Sequence, residues 1–474
     1  MVGNSPLRPV LKPATALSDI YRTLRPEPLI GKEELAAFYK DEINQVRSRD
    51  RKIQRLRLGL ERASDNRIPF KACVMGHRGV GKSTEISRLL LQIESRFQPI
   101  RFSATGVLDP GSFQPLDVLL VMMIEVAQQT AKPVEEGGAD YRLSDARLKE
   151  IWDWFATETE TQALAEDASV KLEAGVKGED SLWAKVSGLF VALKGEIKFA
   201  STRTQKVEAY RLSRLDRLIE VANRLLDECN RALREKAGKQ WLFVGEDFDR
   251  AGIPRTKIED LFITYANIFQ ELRTHLIFTL PISLYYSEKA TRLPFPGHCS
   301  CVIPDTPMFD AAHVSNDAGR EAVAVTLAAR MDLSLVEDES LMRLIVASGG
   351  NLRDLFSLIN YAADGALIRG LETIGSEDAD AAIVNLRSDY ERRLGQSPYD
   401  AAVIEYEDKA KLLQRIYKGD KEAQITNPVL YSLLNARGVQ EFNGQRWFGV
   451  HPLVVDILIA QKMLPEDAPG GTAE

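Results

Sequence analysis

The sequence predicts an α/β fold in which a mostly parallel, three-layer sheet is followed by a helical region and a small terminal domain. Five apolar segments have the character of strands, at 70–75, 99–103, 241–245, 275–279 and 300–304. A glycine-rich loop joins the first strand to a helix, and acidic residues follow the third strand. Alternation of buried strands with helical patterns is typical of a parallel sheet covered on both faces.

Composition limits the classes of protein that need to be considered. With 474 residues and 45% hydrophobic content, the chain is long enough for about two to four domains. The net charge of −7 argues against a surface built wholly for nucleic acid. Four scattered cysteines do not suggest a disulfide framework, and we find no signal peptide or membrane-length apolar run. We therefore expect a cytoplasmic protein that does not span a membrane.

The first strand is followed by "GHRGVGKST", in which Gly76, Gly81, Lys82 and Ser83 have the spacing of a complete Walker A loop. Backbone amides in such a loop surround phosphates, the lysine reaches the β- and γ-phosphates, and the serine ligates Mg²⁺. The predicted cofactors are therefore ATP and Mg²⁺, although no residue distinguishes ATP from GTP. The predicted nucleotide contacts in this loop are Gly76, His77, Arg78, Gly79, Val80, Gly81, Lys82, Ser83 and Thr84.

Hydrolysis of a nucleotide requires carboxylates near the metal and the attacking water. The segment "QWLFVGEDFDR" places Glu246 and Asp247 at the carboxyl end of the third strand, the edge where ligands bind in open α/β sheets. We assign Glu246 to the Mg²⁺ side, with Ser83, and Asp247 to activation of water. The common order is aspartate then glutamate, so the opposite assignment stays open. Thr279 ends the fourth strand, within reach of the γ-phosphate or the water.

These motifs together resemble the AAA+ and STAND class of P-loop ATPases, near its origin-recognition-like and KAP-like branches. "EDFDR" at 246–250 is similar to the "DDLDR" of those families, and Thr279 stands at their sensor-1 position. "GGNLRDLFSLI" at 349–359 resembles a sensor-2 lid helix. "EPLIGKEELAAF" at 27–38 resembles the box beside the adenine, with Lys32 where arginine is usual.

The resemblance implies further roles. Arg353 would reach from the lid to the γ-phosphate and so distinguish ATP from ADP, unless it is an exposed helix arginine beside Asp354. The position after the sensor-1 strand, often arginine in STAND proteins, is Leu280 here. The arginine finger is therefore unassigned, with Arg250 and Arg292 as candidates.

The predicted domain boundaries follow from these motifs. We predict a helical segment at 1–68, an ATPase core at 69–310 with an insert at about 133–206, a helical lid at 311–400, a winged helix at 401–464 and a flexible tail at 465–474. In the insert, "SVKLEAGVKG" and "LFVALKGEIKFAS" alternate apolar and polar residues, which suggests a small β-hairpin. Such a hairpin suits partner binding or self-assembly, or is a decorative insertion.

The winged-helix prediction rests on two helices, at 406–417 and 428–436, before a hairpin turned on Asn443-Gly444. This region offers few basic residues, chiefly Arg437 and Arg446, so we favour a protein-contacting or autoinhibitory module over a DNA reader. A basic stretch at 47–62 is either the solvated face of an amphipathic helix or an anion-binding surface. "HCSC" at 298–301 has no second ligand pair for zinc, so we interpret it as loop and strand.

Three functions are compatible with this sequence. The first is a nucleotide-dependent switch that acts through a protein partner or a homo-oligomer, since no effector domain is visible. The second is an origin-recognition-like ATPase that binds DNA through the winged helix and the basic stretch. The third is a binding module that holds nucleotide without turnover.

Overall fold

The computed structural model describes residues 11–47, 52–158, 182–200, 213–250, 252–297, 299–397, 400, 403–442 and 447–472. Its central sheet has five parallel strands in the order β2-β3-β4-β1-β5. The strands are β1 (Lys71–Met75), β2 (Phe97–Ser103), β3 (Gln240–Glu246), β4 (His275–Leu280) and β5 (Cys301–Val302). The predicted fold class and all five predicted strands are confirmed.

The strand order brings the predicted motifs to one edge. Because β4 lies between β1 and β3, the end of β4 stands between the glycine loop and the acidic residues. Val74 of β1 pairs with Thr279, and Ser103 of β2 pairs with Glu246. The carboxyl ends of these strands therefore meet.

The described part of the N-terminal half contains ten α-helices. They are α1 (Ile20–Thr23), α2 (Lys32–Phe38), α3 (Glu42–Arg47), α4 (Lys52–Asn66), α5 (Lys82–Gln92), α6 (Ala104–Val107), α7 (Pro115–Thr130), α8 (Asp145–Glu158), α9 (Leu182–Lys198) and α10 (Leu215–Ala237).

The three layers arise from the alternation of side chains along each strand. Val74, Val244 and Ile277 face α4 and α5, where Leu60 and Leu89 are fully buried. Strand residues on the other face of the sheet, such as Phe243 and Phe278, contribute to the larger core that includes α7 and α10. Helix α4 is amphipathic, as predicted, because Leu56 and Leu60 lie on its buried side.

The insert differs from its prediction. Residues 189–198, predicted as part of a β-hairpin, belong to helix α9. Its buried residues follow three- and four-residue spacing, which favours a helix over a strand: Val186, Leu189, Phe190, Leu193 and Ile197. Lys194 bridges to Glu125 of α7 at 2.7 Å. The other half of the predicted hairpin, at 169–178, lies outside the described residues.

Ten further helices complete the described chain. They are α11 (Arg255–Glu259), α12 (Asn267–Glu271), α13 (Ile282–Tyr285), α14 (Asp317–Ala328), α15 (Asp338–Ala347), α16 (Leu352–Ile368), α17 (Ser376–Leu394), α18 (Tyr406–Tyr417), α19 (Pro428–Ala436) and α20 (Pro452–Ala460).

The C-terminal region combines helices with one small sheet. Strands β6 (Val439–Phe442) and β7 (Trp447–Val450) pair antiparallel, and the predicted turn at 443–444 lies outside the described residues, as does Arg446. The predicted tail is not free in its described part, 465–472. Its Thr472 hydroxyl donates to Asp456 of α20 at 2.5 Å, and the Tyr417 hydroxyl donates to the Pro469 carbonyl at 2.8 Å. These bonds to α18 and α20 hold the segment against the C-terminal helices.

No helix within the described ranges is long and apolar enough to cross a membrane.

Candidate nucleotide site

The glycine loop, residues 76–82, is held in a conformation that needs glycine. The φ angles of Gly76, Gly79 and Gly81 are 145°, 91° and 97°, values that side chains rarely adopt. A Cβ atom on Gly79 would lie 2.1 Å from Asn351 Oδ1. The loop therefore combines backbone curvature with a close approach from the N-terminus of α16.

Lys82 begins helix α5 and is buried within the loop. Its ammonium group donates to the carbonyls of Gly76 and His77, both at 2.9 Å, and pairs with Asp249 at 2.7 Å. A carboxylate thus contacts the cation that would meet a phosphate in the predicted role. Asp249 was not among the predicted site residues. The sequence did offer a signal for it, because it is the third acid of "GEDFD" and closely follows Glu246 and Asp247.

Glu246 ends β3 beside Arg101 of β2, which donates to one carboxylate oxygen through Nε at 3.1 Å and Nη2 at 2.6 Å. Arg101 also donates to Ser87 at 2.8 Å, and Ser87 donates to the Ser83 carbonyl at 2.8 Å. The other oxygen, Glu246 Oε1, is buried and has no hydrogen-bond partner among the described residues. One acceptor atom therefore remains available for a ligand at this position.

Asp247 lies in the left-handed region, with φ of 66°. Its carboxylate accepts from Ser103 at 2.5 Å and from Arg250 Nε at 3.0 Å, while its backbone N–H donates to Thr279 Oγ1 at 3.0 Å. The structure therefore brings together three of the predicted catalytic positions at the ends of β3 and β4. The finger candidate Arg250 is exposed and paired with Asp247, and Arg292 is exposed in the 3-10 turn Glu288–Arg292.

The outer side of the glycine loop is covered by the lid and the C-terminal region. Asn351 Nδ2 donates to the Arg78 carbonyl at 2.7 Å, and Arg437 Nη1 donates to the same carbonyl at 2.9 Å. His77 Nδ1 lies 2.5 Å from the Asp305 carboxylate, and both side chains are buried. We call the two contacts on the Arg78 carbonyl the closed arrangement.

Arg47 supports the loop from its other side. Its guanidinium donates to the Val80 carbonyl at 2.6 Å and to Thr306 Oγ1 at 2.7 Å. Burial lowers the pKa of Arg47 to about 10, against the opposing charges of Asp305 and Glu85. The first arginine of the predicted basic stretch is thus buried against the glycine loop, which corrects its placement on a solvated or anion-binding face.

The Arg437 guanidinium is also buried in a polar network with Asp354, Tyr390 and His451. It donates to the Asp354 carboxylate and, at 2.9 Å, to the Tyr390 hydroxyl. Burial alone would raise the pKa of Asp354, but the charge of Arg437 holds it below its ordinary value. Desolvation lowers the pKa of His451 to about 3, so its imidazole is neutral, and its ring stacks on Tyr390 at 4.2 Å.

Arg353, the predicted lid arginine, lies beside Gly79 of the loop and takes part in no ion pair among the described residues. It is half-buried and lines a cavity together with Arg78. Thr84, at the end of the glycine motif, has its hydroxyl oxygen bonded by the Leu29 N–H at 3.2 Å. The 27–38 segment, predicted to lie beside the adenine, is therefore in contact with the start of α5.

The residues present fit a nucleotide with Mg²⁺. The glycine loop leads into α5, whose first turn supplies amides for phosphate. The ion pair with Asp249 shows that the Lys82 ammonium group can bind an anionic oxygen. The unpartnered Glu246 Oε1 is suited to a hard cation or to its water.

Comparison with solved structures found similar chains at low sequence identity. Cdc6p from Pyrobaculum aerophilum is 12% identical, with a TM-score of 0.38, over 94% of this chain and 98% of its own. A chain of Drosophila ORC bound to DNA is 10% identical, with a TM-score of 0.38, over 92% of this chain and 81% of its own. The ORC2 protein of Aeropyrum pernix in ADPNP-ADP complexes is 11% identical, with a TM-score of 0.36, over 90% and 98%. No protein-family model matches the sequence, and neither does any curated protein.

Proposed function

We propose that this chain is an ATP-binding and ATP-hydrolysing switch of the AAA+ and STAND type, in which the glycine loop controls the position of the lid and the C-terminal region. The observation that supports it is the closed arrangement. One carbonyl of the predicted phosphate loop accepts from both Asn351 of the lid and Arg437 of the C-terminal region. A ligand that alters the loop would act on both regions at once.

In this proposal Lys82 and the loop amides bind the phosphates, and Ser83 and Glu246 hold Mg²⁺. Bound Mg²⁺ neutralises phosphate charge and orients the reacting groups. Asp247 accepts the proton of the attacking water, and Thr279 fixes the Asp247 backbone through the 3.0 Å bond. Glu246 is the better metal-side residue because its Oε1 is unpartnered in the described chain, whereas both oxygens of Asp247 have partners.

Nucleotide binding requires two rearrangements at the site. Asp249 must move away from Lys82, because its carboxylate, at 2.7 Å, contacts the ammonium group that would bind the phosphate. Arg101 must share or release Glu246 before that carboxylate meets a cation. Arg353 then completes the site from the lid, where a guanidinium pairs with a γ-phosphate charge that disappears on hydrolysis.

We propose that the output passes to a protein partner or to further copies of this chain, in the cytoplasm. The C-terminal elements serve in this proposal as an autoinhibitory winged helix, with Arg437 as the contact to the loop. The DNA-binding alternative is weaker, because Arg437 and Arg47 are buried and bonded to loop carbonyls. Neither guanidinium is free for a DNA phosphate in this conformation.

Turnover and nucleotide binding test the proposal separately. Lys82→Ala is expected to lose ATP binding and hydrolysis, and Asp247→Asn to bind an ATP analogue normally while hydrolysing ATP about 100-fold more slowly or worse. Lys236→Ala, an exposed lysine at the end of α10, is the matched control and should behave as wild type. Binding without any wild-type turnover would instead support the module that only holds nucleotide. Turnover unaffected by Lys82→Ala would contradict the proposed site.

A further inference from the structure

A cavity of about 450 Å³ opens beside the glycine loop on the side away from α5. Its walls come from the glycine loop, the segment after β3 as far as α11, the start of α13, the lid helices α16 and α17, and the end of α19. Each region that the proposed switch moves therefore contributes to the wall of a single open cavity.

Positive charge dominates the lining. Seven of the residues that line the cavity are arginines. Four of these have carboxylate partners: Arg250 with Asp247, Arg255 with Glu259, Arg392 with Asp389 and Arg437 with Asp354.

The other three are Arg78, Arg353 and Arg393, and they take part in none of the ion pairs found among the described residues. The guanidinium carbon of Arg393 lies over the Tyr390 ring, 4.8 Å from its centroid. Arg78 and Arg393 are exposed, and Arg353 is half-buried, so all three are accessible to a ligand.

The positive charges of the arginines that line the cavity repel one another. Burial lowers the pKa of Arg353, and the charges of Arg78 and Arg437 lower it further, while Asp249 and Asp354 oppose the shift. Burial also lowers the pKa of Arg78; Asp249 opposes this shift, while Arg250, Arg437 and Arg393 add to it. An anion held between these side chains would relieve this repulsion, and arginine forks match the oxygens of a phosphoryl group.

The nucleotide's own phosphates do not account for the whole cluster. In the proposed function the loop amides and Lys82 receive those phosphates, and Arg353 reaches the γ-phosphate. Arg393 lies near the end of α17, on the wall formed by the lid and α19, and Arg78 lines the same volume. Two guanidiniums from different regions thus remain for another anion.

We propose that this cavity is a second anion site that binds a phosphoryl group and, by bridging Arg78 and Arg393, stabilises the closed arrangement. The phosphoryl group comes from one of two sources: orthophosphate cleaved from the nucleotide, or a separate small phosphorylated molecule. The proposal rests on the proposed function only in assigning the nucleotide's phosphates to the region of Lys82. The bound group ties the glycine loop to helix α17 of the lid.

Binding of orthophosphate and of pyrophosphate to the full-length protein, measured by calorimetry, tests the site. Both probes are expected to bind wild type and Lys82→Ala, and to bind Arg78→Gln and Arg393→Gln at least about tenfold more weakly. Arg387→Gln, on the same helix as Arg393 but outside the cavity lining, is the control and should bind as wild type. Arg393→Lys, which keeps the charge, should recover part of the affinity.

Two results would overturn the site. One is loss of probe binding in Lys82→Ala with retention in Arg393→Gln, which would place the anion at the glycine loop. The other is absence of binding of both probes to a folded wild type. Affinity for an ATP analogue, measured on the same variants, separates the two proposals: Arg393→Gln should leave it within about twofold, whereas Lys82→Ala should abolish it.

Phosphate release after a single turnover distinguishes the sources. If the cavity holds cleaved orthophosphate, Arg393→Gln should release phosphate several-fold faster than wild type at an unchanged rate of cleavage. If release rates are equal while the probes bind, the source is a separate phosphorylated molecule. Either result keeps the site, and the two binding results above decide whether it exists.

Discussion

Replacing Arg437 by glutamine is the sharpest test of how the C-terminal region is held against the glycine loop. The guanidinium contacts the Arg78 carbonyl at 2.9 Å, the Tyr390 hydroxyl at 2.9 Å and the Asp354 carboxylate. Arg437 and Asp354 are 8% and 4% exposed, so the variant leaves a buried carboxylate without its cation. Loss of one partner of a buried pair costs about 3–5 kcal/mol.

We expect this loss of stability to lower the free energy of local opening around Arg437, because a chain of several domains need not unfold in one step. Native-state hydrogen exchange of the amides in α16 reports the local opening free energy. A loss of about 3–5 kcal/mol corresponds to exchange faster by two to three orders of magnitude or slightly more, at about 1.4 kcal/mol per factor of ten. The double variant Arg437→Gln with Asp354→Asn removes the stranded charge and should recover at least about 1 kcal/mol.

An exposed pair supplies the control for this experiment. Arg392→Gln removes a pair with Asp389 whose side chains are 70% and 38% exposed, and it should change exchange in α16 by less than about 1 kcal/mol. The reasoning is refuted if Arg437→Gln also costs less than about 1 kcal/mol, or if the double variant is as unstable as the sum of its parts.

Three further predictions concern the same region. Asp249→Asn frees Lys82 and should tighten binding of an ATP analogue about tenfold in a titration; weaker binding would show that Asp249 contributes to the site instead. His451 has a pKa of about 3 in the fold, below its unfolded value, so wild type should lose roughly 1.4 kcal/mol per pH unit as pH falls below about 6.5, and His451→Gln should show a shallower slope in urea unfolding. Gly79→Ala places a Cβ 2.1 Å from Asn351 Oδ1 and should destabilise the fold by about 1–3 kcal/mol through strain and more through the clash. Gly81 has a similar φ, but no atom lies within 4 Å of the Cβ that Gly81→Ala would add. If both variants lose the same stability in melting experiments, the contact between Gly79 and Asn351 is irrelevant to the loss.

The parts of the site that the sequence predicted are those with local signals. The glycine spacing, the acids after an apolar strand and Thr279 each follow directly from strand and loop patterns. Because parallel strands end at one edge, these three motifs had to meet once the strands were assigned. The contact between Thr279 and Asp247 confirms this geometry.

The residues that were missed are determined by long-range packing. Arg437 is 359 positions from Arg78, and no local pattern reports that its side chain turns towards the glycine loop. Arg47 belongs to a basic stretch whose composition suggests solvent, yet its guanidinium is buried against the Val80 carbonyl. Arg101 gave no signal because a single arginine in a strand is equally compatible with either face of the sheet.

In the insert, by contrast, the local sequence pattern predicted the wrong secondary structure. Alternation in "LFVALKGEIKFAS" fits a strand over a few residues, but the apolar positions also satisfy helical spacing. Contacts with α7 and α8 select the helix, because they bury Leu189, Phe190 and Leu193 together on one side. Tertiary burial decides between the two periods when a segment is compatible with both.

Small-angle X-ray scattering, collected in line with size-exclusion chromatography and light scattering, tests the central claim most directly. Wild type and Lys82→Ala are compared with ADP and with a non-hydrolysable ATP analogue plus Mg²⁺. We predict that the radius of gyration of the wild-type monomer, or its assembly state, increases only with the ATP analogue, and that Lys82→Ala does not respond. Identical scattering and mass of wild type in both nucleotides, at concentrations where binding is saturated, would contradict a switch that couples the glycine loop to the lid and the C-terminal region.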